Sequence, residues 1–218
     1  MHYIILDLEM NEIDHSYKTE FRICSKEIIQ IGAVLLDDTY QILDTFSIYC
    51  KPQYNTGISY KYQQLTGIST YTVKDAPCFK VALHQFFTWI LSNTNDVELY
   101  SWSDNDYNQI LDEAQLKNYR FSDQELQLLE QWYDLQEEYD EITQRHYRCS
   151  LVEALISSGI SFEGKQHDAL YDSINTAKLF KTIRKNNHIE QTYNRYLNQE
   201  PVNATLGDCI DFSKLQFN

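Results

Sequence analysis

The chain has 218 residues, enough to bury a core without disulfide or metal staples. Six glycines and three prolines exclude collagen-like, linker-rich and low-complexity designs. Eighteen basic against 32 acidic residues leave a formal net charge of -14, the reverse of the balance that duplex-coating DNA proteins carry.

Tyr3–Leu8 reads as a buried strand, and its apolar part, Tyr3 to Leu6, is too short for a secretory leader. Glu27–Leu36 and Gln41–Lys51 are two further strands joined by the turn-forming Asp37-Asp38-Thr39, which predicts an antiparallel meander starting at residue 3. Lys61–Thr66 is a short helix closed by Gly67. Phe79, Ala82, Leu83, Phe86, Phe87 and Ile90 recur at helical spacing, predicting a helix over Phe79–Leu91. Val97–Trp102 returns as a strand, and a helix follows from Asp106 to about Lys117.

Residues 123–141 hold eight acidic side chains and no Lys or Arg. They read as one amphipathic helix leading into an edge strand at Trp132–Gln136, with a solvated acidic face that could also dock a protein partner. Ser150–Ser158 and Ala169–Lys185 are helices, the second ending in cations suited to a helix C-terminus. The expected organisation is one α/β domain over residues 1–199, followed by a C-terminal extension at 200–218. Five scattered cysteines without paired spacing, and no apolar run near ~20 residues, predict a reduced, cytoplasmic, non-membrane protein.

Three acidic motifs carry chemistry. Asp7 and Glu9 flank Leu8, and a spacing of two on a strand places both carboxylates on one face. Composition alone yields about one Asp-x-Glu. Asp123-Gln124-Glu125 repeats the pattern in a polar segment, whereas Asp7 and Glu9 adjoin a run that should be central in the sheet. There they form either a cation site or a pair at the strand's end. Asp104 and Asp106 sit where a strand turns into a helix, a position that also suits capping. His167 precedes Asp172 by five residues, just before or at the start of the last helix.

Taken together and in order, Asp7-x-Glu9, an Asp after the fourth strand, and His167-x4-Asp172 before Asn175-Thr176-Ala177 resemble the three motifs of the DEDDh 3′–5′ exonucleases. These are DnaQ-like members of the ribonuclease H-like superfamily. Glu27–Val34, Phe46 to Pro52, Leu65-Thr66-Gly67-Ile68 and Ala76–Phe79 extend the resemblance over residues 3 to about 182. Ser101-Trp102 and Trp132–Leu135 make it most like the branch of Eri1-type and KapD-type enzymes.

The resemblance implies a mixed five-stranded sheet with helices on both sides. It implies two Mg²⁺ or Mn²⁺ ions held by Asp7, Glu9, Asp106 and Asp172, with Asp106 preferred over Asp104 because Ile110 completes the family's Asp-x-x-x-Leu-like spacing. It also implies His167 as general base, and release of nucleoside 5′-monophosphates from a single-stranded RNA or DNA 3′ end. Met10 and Asn11 fall where the family's backbone meets the terminal 3′ hydroxyl, and Leu65 falls where a wedge lies beside the terminal bases; Thr66 and Trp102 complete the expected substrate contacts. A catalytically idle nuclease fold that binds protein through its acidic segment is the rival reading.

Overall fold

The computed structural model describes residues 1–55 and 57–185. The expected extension at 200–218, and the end of the expected domain, lie outside the described residues. The elements run β1 (His2–Glu12), α1 (Lys18–Ile23), β2 (Lys26–Leu36), β3 (Ile42–Tyr49), α2 (Tyr60–Thr66), α3 (Thr70–Val73) and α4 (Phe79–Asn93). They continue with β4 (Val97–Ser101), α5 (Asn105–Leu116), α6 (Asp123–Leu129), β5 (Trp132–Asp134), α7 (Leu135–Ile142), α8 (Leu151–Ser157) and α9 (Ala169–Lys185).

The five strands form one mixed sheet in the order β3-β2-β1-β4-β5. β1, β2 and β3 make the expected meander, while β4 and β5 add in parallel. Parallel addition needs helical crossovers, which cover both faces of the sheet. The period of two along β1 separates those faces. Ile4, Leu6 and Leu8 join a core with Phe79, Phe86 and Ile110 from α4 and α5, whereas Ile5 joins one with Leu155, Ala177 and Phe180 from α8 and α9. Asp7 and Glu9 share the parity of Ile5 and therefore lie on the α9 side.

β1 is longer than its apolar run suggests. It continues to Glu12 because β2 pairs with it down to Lys26, so Asp7 and Glu9 lie within the strand rather than at its end. Its pairing with β4 stops at Leu6 opposite Ser101, and a register shift against β2 falls between Glu9 and Met10.

Residues 123–141 also differ from expectation: two helices, α6 and α7, flank a strand of three residues. Asp134 ends that strand early because its carboxylate caps α7, accepting the Glu137 N–H at 3.0 Å. Much of the acidity is spent inside the fold. Glu125 closes a capping box with Ser122 and accepts from the Tyr119 hydroxyl, Asp134 pairs with Arg148, and Glu138 pairs with Arg184. The helices α1 and α3, of six and four residues, are too short to show a period in sequence.

α9 crosses β2 at Gly32. A Cβ there would come inside 3.0 Å of the Ala169 and Leu170 backbone, so only glycine lets the helix approach this closely. The Ser173 hydroxyl donates to the Gly32 carbonyl at 2.9 Å, and the Gln30 side chain reaches both Asp168 and the Ala169 N–H. These contacts seat the first turn of α9, which carries Asp172.

Candidate active site

Three elements bring four acidic side chains to one place. β1 supplies Asp7 and Glu9, the first turn of α5 supplies Asp106, and the first turn of α9 supplies Asp172. Glu9, Asp106 and Asp172 are each less than a tenth exposed. Ligand atoms of Glu9, Asp172 and His167 lie within 4.8 Å of one another. Asp7 feels the like charges of Asp106, Asp172 and Glu9. The two aspartates near the start of α5 part company here: Asp104 is exposed and paired with Arg148, while Asp106 is buried and lines a hollow with Asp7. The turn between them and β4 is tied by the Ser101 hydroxyl, which donates to the Ser103 carbonyl at 2.6 Å.

Burial pushes all four carboxyl groups upward, and neighbouring carboxylates add to it. Asp7 rises well above the usual carboxylate range, first from burial and then from Asp106, Asp172 and Glu9. Burial, Asp172 and Asp106 push Glu9 up to about 8, with Lys165 pulling the other way. Asp106 is pushed up to about 7 by burial, restrained by the Leu8 N–H and its own N–H. Asp172 goes to about 6, again chiefly through burial. Such a set is poor at holding charge by itself, and a cation is what restores it. The donors are hard carboxylate oxygens with no thiolate among them, a set that fits Mg²⁺ or Mn²⁺.

His167 stands on the loop before α9, where α9's length and capping by Asp168 leave it outside the helix. Its backbone is left-handed, with φ at 59°, and its peptide N–H donates to Asp172 Oδ2 at 2.9 Å. That bond turns the loop over the carboxylates. Burial, and then Lys165, lower the pKa of its imidazole, favouring the neutral form that can accept a proton.

Two hollows meet at Asp7. One, of about 250 Å³, is walled by Trp102, Leu151, Val152 and His167. The other, of about 420 Å³, is polar and includes Met10, Lys26, Asn105 and Asn108. Of the expected substrate contacts, Met10 and Trp102 line these hollows, and Leu65 is 42% exposed on α2.

The Asn11 and Thr66 side chains are committed to bonds within the protein. Asn11 is wholly buried, bonding the Ser59 N–H and the Gly57 carbonyl to hold the loop before α2. The Thr66 hydroxyl is committed to the Tyr62 carbonyl and the Ile68 N–H. Sequence reading missed Leu151, Val152, Asn105 and Asn108. The two asparagines flank Asp106 in a visible Asn-Asp-Tyr-Asn string, whereas Leu151 and Val152 are ordinary helix residues that only the fold brings to the cleft.

The exonuclease family (RNase_T) matches residues 4–180. Human ERI1 exoribonuclease 2 is 32% identical over 202 residues, covering 82% of this chain and 28% of that protein. Its Xenopus laevis counterpart is 32% identical over 176 residues, covering 71% of this chain and 25% of that protein. The chain thus spans between a quarter and a third of the length of the curated relatives it matches.

The nuclease domain of 3′hExo, a DEDDh family member solved with rAMP, shares the fold at a TM-score of 0.72 and 24% identity, with 85% of this chain and 92% of that one covered. E. coli exonuclease I with a dT13 oligonucleotide shares it at 0.63 and 15%, covering 90% and 43%. Among the described residues no helix is long and apolar enough to cross a membrane. The chain belongs to the exonuclease family, in its ERI1-type branch.

Proposed function

We propose that the chain hydrolyses single-stranded RNA or DNA from the 3′ end, one nucleoside 5′-monophosphate at a time, with RNA the favoured substrate. The observation that carries this reading is the convergence of Asp7, Glu9, Asp106 and Asp172 beneath His167, from parts of the chain far apart in sequence. The curated relatives are named exoribonucleases, which supports RNA; the E. coli enzyme's complex with dT13 keeps DNA in play.

The four carboxylates would hold two divalent ions, which when bound supply positive charge at the scissile phosphodiester and acidify the attacking water. The protein's own residues do the rest. His167 lies beside Glu9 and Asp172 and takes the water's proton as attack on phosphorus proceeds. Its loop is anchored to Asp172, so the base and one carboxylate move as a unit. Trp102, Leu151 and Val152 shield one flank from bulk water, which strengthens every charge interaction in the cleft. The polar hollow across Asp7 suits a phosphodiester backbone.

The test is digestion of 5′-labelled single-stranded RNA and DNA oligonucleotides with Mg²⁺, Mn²⁺ or EDTA. Laddering from the 3′ end that needs the metal, and is lost in Asp172→Ala, is expected. A substrate left at full length under every metal condition overturns the reading.

A further inference from the structure

The loop Glu163–Asp168 that carries His167 is tied mostly to its own helix. The Glu163 N–H donates to Asn175 Oδ1 at 2.9 Å and the Glu163 carbonyl accepts from Asn175 Nδ2 at 2.8 Å. The Glu163 side chain pairs with Lys178, His167 bonds Asp172, and Asp168 caps α9. Gly164, with φ at 78°, leaves the space that the Tyr171 ring fills.

Lys165 points elsewhere. Its Nζ donates to the Thr66 carbonyl at 2.7 Å, at the C-terminal end of α2. Lysine suits that end, where the last carbonyls lack helical partners and carry partial negative charge. The space is made by Gly67: its φ of 72° turns the chain out of α2, and a Cβ there would overlap the ammonium. Lys165 is exposed, so its bond contributes little to stability, yet both Glu9 and His167 feel its charge. It therefore stands where three parts of the site meet: the strand with Glu9, the loop with His167 and the helix with Leu65.

We propose that Lys165 is a positioning residue of the 3′-terminus site, joining the loop that bears His167 to the end of α2 and so fixing Leu65 relative to the base. This rests on the exonuclease reading. A substrate whose terminal nucleotide lies against Leu65 is then aligned with His167 through one bond, from Lys165 to Thr66. Releasing that bond lets the loop and α2 drift apart while α9 keeps its fold and Asp172 its place.

The experiment compares wild type, Lys165→Met, Lys165→Arg, Leu65→Ala and the Lys165→Met/Leu65→Ala double variant on a labelled RNA oligonucleotide. kcat and KM are measured separately, alongside Mn²⁺ affinity and Tm. Misplacement by about 1 Å costs up to ~100-fold in rate, so Lys165→Met should lose about 10- to 100-fold in kcat/KM. Its Mn²⁺ affinity should stay within about twofold and its Tm within about 2 °C, as expected for an exposed ion contact. Lys165→Arg should recover most of the loss. Because Lys165 acts through α2, the double variant should fall little below the worse single variant, a non-additivity that independent roles would not give. Full activity in Lys165→Met, no recovery with arginine, or strictly multiplicative losses overturns the inference while wild-type digestion leaves the exonuclease reading intact. Failure of wild type to shorten any substrate strikes the reading itself.

Discussion

Replacing Lys117 with methionine should unsettle the whole domain from a point with no part in the chemistry. Lys117, at the end of α5, places its Nζ 2.7 Å from Glu27 and 2.7 Å from Glu113, and both carboxylates are fully buried. Glu27 also accepts N–H groups from Gln53, Tyr54 and Asn55, and Glu113 accepts that of Ile28, so the cluster ties β2, the segment after β3 and α5 together. One cation serves two carboxylates. Burial, which the pairing with Lys117 only partly offsets, pushes Glu113 up to about 7, while the two carboxylates outweigh burial and raise Lys117.

Removing the cation strands both carboxylates, and breaking a buried pair from one side costs about 3–5 kcal/mol. For a domain of this size that is a fall in Tm of about 6–20 °C. The pH dependence has a definite sign. A Glu113 whose native pKa lies above its unfolded value near 4.3 binds its proton more tightly when folded, so stability is lost as pH rises through that window. Without Lys117 the native pKa climbs further, and the penalty should shrink as pH is lowered from 8 towards 5. The assay is thermal or urea unfolding of wild type, Lys117→Met and Lys117→Met/Glu113→Gln at several pH values, with the second substitution recovering part of the loss. A Tm fall under about 2 °C, or a penalty that grows at low pH, would refute the reasoning.

Asp7→Asn should abolish 3′ shortening yet raise Tm in EDTA by a few degrees, because it relieves repulsion among buried carboxylates; calorimetry with and without Mn²⁺ checks both halves. Asp106→Asn should lower kcat by at least about 100-fold, whereas Asp104→Asn, which perturbs an exposed pair with Arg148 and an exposed bond from Asn108, should stay within about threefold; equal losses would mean that the ligand was misassigned. His167→Ala should slow turnover by about 100- to 10,000-fold while Mn²⁺ affinity, followed by titration calorimetry, changes little. Gly32→Ala should force α9 away from β2, lowering stability by about 1–3 kcal/mol and activity with it, since Asp172 rides on the displaced turn.

Much of this was legible from residue order because local patterning and tertiary need agreed. The apolar stripe of α4 is one element on which they did, and the glycine after α2 takes the left-handed conformation expected of it. The acidic motifs were legible only as a set, since an Asp-x-Glu pair is frequent in so acidic a chain. What sequence did not disclose depended on partners distant in the chain. β1 outruns its apolar stretch because β2 pairs with it, and Asn11 is buried because the segment at 57–59 needs its amide. The acidic stretch divides into two helices because Asp134 caps the second of them.

The early end of β4 has a meaning beyond its own length. Past Leu6 and Ser101 the sheet forks, β1 continuing on β2 while the chain after β4 swings into α5. The crotch of that fork begins at Asp7, where the Leu8 N–H faces Asp106. A longer β4 would gain ladder bonds and zip the fork shut over the residues that need to be open. The length of a strand is thus bounded here by access to the cleft, and the shortest route to a more stable sheet is also the route to a sealed one.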